Sequence, residues 1–233
     1  MKSLLPALAA LLVLASCSRS EPDLSTQPSP TSESTGPAAA PVKPAEQPVL
    51  PADLHEHLVR ADSPVLGSAT APVTIVEFLD PACEGCRAFA PVVRQIQFLY
   101  PDDVRVVVRL ADFHPGSEEA IRILLAAQRQ HRFEEVLTAL FDRQEEWASH
   151  HSPDVDAAWQ IAAAAGLDVK AARSVAESSE ITGRLREEGE DIMALKVART
   201  PTFYVNGKLL EDFGAEQLMS LVKTEVEAGK TGS

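Results

Sequence analysis

The chain has 233 residues and a formal charge of −13 at pH 7, from 34 Asp and Glu against 21 Lys and Arg. So acidic a balance, with no basic stripe, argues against a nucleic-acid partner. Its three cysteines, Cys17, Cys83 and Cys86, fall in two separate segments.

Met1 and Lys2 give a short basic start, and Leu4 to Leu14 is apolar but too short to span a bilayer as a helix. The stretch ends at Leu14-Ala15-Ser16-Cys17, which resembles the lipobox of bacterial lipoproteins. That resemblance implies a signal peptide over 1–16 and a diacylglycerol on the Cys17 thiol, a membrane anchor through its buried methylenes. The competing reading is an ordinary secretory signal with an incidental cysteine. Ser18 stands where an aspartate would indicate inner-membrane retention. The outer membrane is therefore favoured if the source is Gram-negative, with the protein facing the periplasm.

Residues 17–53 read as a tether. Prolines at 22, 28, 30, 37, 41, 44, 48 and 51 punctuate Ser, Thr, Ala and Glu, with no aromatic residue among them. Such a stretch buries too little apolar surface to offset its ordering entropy. Residues 54–229 are enough for one domain with its own core. They contain no apolar run long enough to cross a membrane.

Val73 to Leu79 is rich in β-branched residues and nearly all apolar, the pattern of a central strand buried on both faces. A helix is predicted from Gly85 to Tyr100, with Phe89, Val92, Val93, Ile96 and Leu99 on one stripe and Pro101 closing it. Val104 to Leu110 is a second strand. Helices are then expected from an N-cap at Ser117 through Gln128 and from Phe133 to Gln144. A third starts at Ser152-Pro153-Asp154, with proline at the first helical position, and stops near Gly166. Asp168 caps the next, and Glu180 to Val197 forms another. Phe203 to Val205 and Lys208 to Leu210 flank Asn206-Gly207, a strong hairpin signal. A last helix runs from Ala215 to Glu227. This is an α/β core interrupted by a helical insertion at about 115–197, with Trp147 and Trp159 as packing residues.

Cys83-Glu84-Gly85-Cys86 directly follows the first strand. Two thiols spaced by two residues at a strand-to-helix junction are the layout of a dithiol/disulfide redox centre. Two alternatives stand beside it. A structural staple would close too short a loop to restrain the unfolded chain much. A zinc half-site would lack its second ligand pair, since His150-His151 reads as a solvated loop.

The run Val65 to Phe78, the Cys-x-x-Cys, the helical insertion and Thr200-Pro201-Thr202-Phe203 together resemble the DsbA-like branch of the thioredoxin superfamily, over nearly all of residues 62–228. The resemblance implies a thioredoxin-like fold with the insertion between the second strand and a cis-proline strand. It implies a protein thiol–disulfide oxidoreductase with Cys83 as exposed nucleophile and Cys86 as resolving thiol of a Cys83–Cys86 disulfide. Pro201 matches the cis proline facing that site, and Thr200 the residue whose backbone meets an extended substrate. The alternative at that position is an ordinary trans Thr-Pro at a strand start. Glu77 matches a buried acid that shuttles the resolving thiol's proton, although strand alternation also allows a surface-facing side chain.

The chain departs from the strongly oxidising members, which carry Pro-His where Glu84-Gly85 stands. A carboxylate beside Cys83 opposes the thiolate, with Arg87 offsetting it in part, so a milder couple suited to isomerase or reductase work is expected. His114-Pro115-Gly116 is placed on the rim of the substrate groove without assigned chemistry. The implied partners are exported proteins with cysteines and a membrane redox partner, acting on a monomer that needs no cofactor or metal. A different class is a thioredoxin-fold metallochaperone holding Cu(I) by two thiolates. Against it, only three Met occur and no histidine lies near the pair in sequence.

Overall fold

The computed structural model describes residues 49–231. The signal peptide, Cys17 and most of the tether lie outside the described residues. The described chain opens with Val49 bridging Lys208 and the Leu50 N–H donating to the Gly207 carbonyl at 2.9 Å. A short 3₁₀ turn and α1 (His55–Leu58) follow, so the boundary expected near Leu54 falls inside this segment.

Five strands form one sheet: β1 (Val65–Gly67), β2 (Val73–Leu79), β3 (Val104–Leu110), β4 (Thr202–Val205) and β5 (Lys208–Leu209), in the order β1-β3-β2-β4-β5. The central β2 and β3 run parallel, and the other neighbours pair antiparallel. Both central strands are buried almost throughout, as their unbroken apolar runs require. Parity sorts them into two faces. Val73, Ile75 and Leu79 point to the larger core, while Val76 and Phe78 face Leu58, Ile192 and Leu195. β1 is too short to carry a periodic signal, and the sequence reading did not assign it.

α2 (Glu84–Leu99) crosses the larger core behind β2, with Val93 and Ile96 buried. The insertion between β3 and β4 comprises α3 (Ser117–Arg129), α4 (Phe133–Asp142), α5 (Gln144–Trp147), α6 (Val155–Ala164), α7 (Val169–Ala176) and α8 (Ser179–Ala194). Trp147 and Trp159 are buried there, and their indole N–H groups donate to the Leu140 carbonyl and to Glu119. Asn206 and Gly207 both take positive φ, 49° and 79°, the geometry of a two-residue hairpin. α9 (Ala215–Thr231) closes the chain against the sheet.

Three helix starts or stops differ from expectation, two for a tertiary reason and one for a local cap. Gly116, at φ +84°, caps α3, because the Ser117 hydroxyl donates to Asp80 instead. Asp154 caps α6 by accepting from the Ala157 N–H, which leaves Pro153 ahead of the helix. The helix from Phe133 breaks at Arg143, and the Gln144 side chain turns to the carbonyls of Pro81 and Cys83, at 2.8 and 3.1 Å.

On the smaller-core face, Arg109 of β3 is fully buried. It donates to Glu188 at 2.9 Å, to Asp191 at 2.6 Å and to the His57 carbonyl. Asp191 also receives Arg60 at 2.6 and 2.7 Å and His57 at 2.6 Å. This buried charge network ties α1 and the segment after it to α8.

Candidate active site

Cys83 is the N-cap of α2, at the mouth of a turn whose first N–H groups have no helical partner. It is nearly buried, and Cys86, one turn deeper, is fully so; both thiols are free. A hydrogen bond from Cys86, with Thr200 and the N–H groups of Cys86 and Gly85, outweighs burial and pulls the Cys83 thiol down to about 5. Burial pushes the Cys86 thiol up, although the Asp80 N–H approaches its sulfur at 3.4 Å. The two sulfurs are thus unlike: one poised to ionise, the other held neutral.

The Thr200–Pro201 bond is cis. The Cys83 thiol donates to the Thr200 carbonyl at 3.3 Å. The Thr200 hydroxyl is buried without a hydrogen-bond partner, and Thr200 is among the groups that lower the Cys83 pKa. A Cβ at Gly85 would stand 3.2 Å from Pro201 Cδ and 3.4 Å from the Cys83 sulfur. A side chain there requires Pro201 to give by a few tenths of an ångström.

Glu77 is 3% exposed and points into the larger core, so the surface-facing alternative does not hold. Burial, with the charge on Cys83 adding to it, raises its pKa to about 8. Its Oε1 has no protein partner. It lines a cavity of about 40 Å³ with Arg94, Gln97, Glu134 and Thr138 on the polar side, enough room for water.

Neither charge near Cys83 behaves as expected. Glu84 is met by His150 at 2.7 Å, and its own N–H and that histidine lower its pKa. Arg87, expected to offset Glu84, pairs with Glu145 at 3.0 Å instead. His150 therefore has a partner beside the site rather than a purely solvated place. Two further residues, Asp80 and Gln144, were missed as site elements, and His114 was expected on the groove rim without assigned chemistry. Asp80 is buried, Gln144 holds the loop before α2, and His114 donates to Asp80 at 2.7 Å. The available signal was Asp80 itself, a carboxylate closing an apolar strand three residues before the cysteine. Among the described residues no group of three or more His, Cys, Asp or Glu is placed to hold a metal ion.

A thioredoxin fold with a helical insertion, a Cys-x-x-Cys heading the helix after a central strand and a cis proline against it define the DsbA-like thiol–disulfide oxidoreductases. The chain belongs to the thioredoxin family, whose model matches residues 60–224. It is similar to a thioredoxin-like oxidoreductase from Silicibacter pomeroyi DSS-3, at 27% identity and a TM-score of 0.64, over 77% of this chain and 99% of that one. It is 31% identical over 173 residues to the Na(+)/H(+) antiporter NhaA 1 of Mycolicibacterium gilvum (strain PYR-GCK), covering 71% of this chain and 26% of that protein. The chain thus spans about a quarter of the length of the curated relatives it matches first. It is also 25% identical over 161 residues to disulfide bond formation protein D of Bacillus subtilis (strain 168), covering 64% of this chain and 70% of that protein. No helix among the described residues is long and apolar enough to cross a membrane.

Proposed function

We propose that the protein exchanges disulfides with exported proteins through a Cys83–Cys86 couple. One observation carries this reading: the helix-capping Cys83 thiol is pulled down to about 5, while its buried neighbour is pushed up. An unequal pair of this kind has one sulfur to attack and one to resolve.

In the oxidising direction a client thiolate attacks the Cys83 sulfur, the Cys83–Cys86 bond breaks, and Cys86 leaves as a thiolate that takes the proton of neutral Glu77. A second client thiolate attacks the client sulfur of the mixed disulfide and releases Cys83 as a thiolate. The two electrons stay on the pair until a membrane redox partner accepts them. In the reducing direction the Cys83 thiolate attacks a client disulfide and Cys86, deprotonated by Glu77, resolves it. An extended client segment pairs with the backbone at Thr200, a short form of strand addition. The groove of about 540 Å³ beside Pro201, walled by Arg199, Leu210 and Phe213, receives its side chains.

A thiol near 5 lies between about 7 for thioredoxin and about 3.5 for DsbA. The couple is accordingly milder than the strongest oxidants and suits isomerase or reductase work. The protein is exported, anchored by a lipid on Cys17 and held off the membrane by its tether. It acts as a monomer without a cofactor.

Mixed-disulfide trapping with Cys86→Ser, beside insulin reduction by the unaltered protein, tests this. Client adducts on Cys83 and turnover support it. No turnover, no adduct and tight Cu(I) uptake by the reduced protein would replace it with the metallochaperone reading.

A further inference from the structure

Asp80 follows β2 and is fully buried. Its Oδ1 accepts from the Ala82 N–H at 2.8 Å and from the Ser117 hydroxyl. Its Oδ2 accepts from the N–H groups of Phe113 and His114, at 2.8 and 3.1 Å, and from His114 Nδ1 at 2.7 Å. One carboxylate therefore fixes two loops at once. The first is the turn that delivers Cys83, whose own N–H donates to the Asp80 carbonyl at 3.1 Å. The second is the start of the insertion, which carries His114. Because a carboxylate only accepts, His114 carries its proton on Nδ1, and the carboxylate that holds its ring also holds the turn leading to Cys83.

A second carboxylate–imidazole pair closes the other side. Glu84, the residue after Cys83, is bound by His150 Nε2 at 2.7 Å, and the His150 and His114 rings lie 6.1 Å apart. Cys83 thus stands between two carboxylates, each paired with a histidine. A thiolate formed at Cys83 would be a third negative charge in this cluster, and Asp112 lies close enough to Glu118 and to Asp80 for their charges to interact. In so acidic a surround, a cation placed by the fold would add to the hydrogen bonds that already favour the thiolate.

We propose that His114, oriented by Asp80, is a positioning residue that supplies this cation and sets the reactivity and redox poise of Cys83. The inference rests on the disulfide-exchange reading above and deepens it. The electrostatics agree with the geometry. Burial opposes the cationic form of His114, but the hydrogen bond and charge of Asp80 outweigh it, and the charges of Cys83 and Glu84 raise its pKa further. Coupling of this kind is reciprocal: a Cys83 thiolate that favours protonated His114 is itself favoured by it. The contribution is present below the raised pKa of His114 and fades as pH rises through it.

The test uses the unaltered protein and His114→Asn, whose amide can still donate to Asp80 but carries no charge. The Cys83 thiolate is titrated by its ultraviolet absorbance, and the pair is equilibrated with glutathione buffers. His114→Asn is expected to raise the Cys83 midpoint by about one pH unit. It should lower the equilibrium constant for oxidising glutathione about tenfold, or about 30 mV. His114→Lys should restore part of both, and a purely structural role would leave both unmoved. In the unaltered protein, His114 followed by NMR should titrate about one unit higher in the dithiol form than in the disulfide form, where Cys83 has no charge. Equal His114 titration in the two forms, or an unmoved Cys83 midpoint in a folded His114→Asn, overturns the inference while the exchange reading stands. A pair that glutathione cannot oxidise would instead remove the exchange reading itself.

Discussion

The Cys83 thiol donates to the carbonyl of Thr200 at 3.3 Å, across 117 positions of sequence. This contact joins the head of α2 to the residue before the cis proline. When Cys83 ionises, the thiolate can no longer donate to that carbonyl, and the buried, unpartnered Thr200 hydroxyl is the side-chain donor expected to turn to it. Thr200→Val keeps the carbonyl and removes the hydroxyl. The Cys83 titration midpoint should rise by about one pH unit, the worth of one hydrogen bond to a charged group, while mixed disulfides still form. Ultraviolet titration of the variant checks this.

Glu77 is expected to cost stability at neutral pH. Its folded pKa of about 8 exceeds the ordinary 4.5, so the unfolded chain sheds this proton first. The stability it leaves intact below pH 4.5 is therefore lost progressively as pH rises toward about 8. At pH 7 the loss is on the order of 3 kcal/mol. Glu77→Gln should remove this slope and raise the melting temperature at neutral pH, read by thermal melts across that range. In stopped-flow exchange the same variant should slow resolution of the mixed disulfide more than its formation. Equal slowing of both steps counts against a proton shuttle.

Asp191 works in the opposite sense. Arg60, His57 and Arg109 outweigh its burial and hold its pKa at about 2, below the ordinary 3.8. Its contribution is fully present above pH 3.8 and is lost as pH falls toward about 2. Asp191→Asn leaves Arg109 buried with one charge partner fewer and should cost about 3 kcal/mol, seen in urea unfolding at pH 7. Disulfide exchange by the folded fraction should be unchanged, because this network lies on the sheet face away from the cysteines.

Gly85→Ala probes the close approach of Pro201. The new methyl would sit 3.2 Å from the proline Cδ and 3.4 Å from the Cys83 sulfur. Displacing either should lower the exchange rate about tenfold, with little change in thermal midpoint because alanine favours the helix. An unchanged insulin-reduction rate would show that the proline has room to yield.

What the sequence made legible was local. β2 and β3 announce themselves by unbroken apolar runs, α2 by its helical stripe, the hairpin by Asn206-Gly207, and the centre by Cys83-x-x-Cys86 and Thr200-Pro201. The hidden part depends on convergence. Ser117 reads as a helix cap until Asp80, from another segment, takes its hydroxyl. Gln144 reads as helix until the Cys83 loop draws its amide away and the helix breaks. Glu84 reads as a charge offset only in part by Arg87, because its partner His150 is 66 residues away. Arg109 gives no sign of its buried network, since nothing near it in sequence predicts Glu188 and Asp191.

The most direct test of the central claim is the redox equilibrium of the Cys83–Cys86 pair in glutathione buffers, read by thiol alkylation and mass. The account predicts one two-electron transition, with a midpoint between about −120 mV for DsbA and about −270 mV for thioredoxin. A pair that stays dithiol at every glutathione ratio would contradict it.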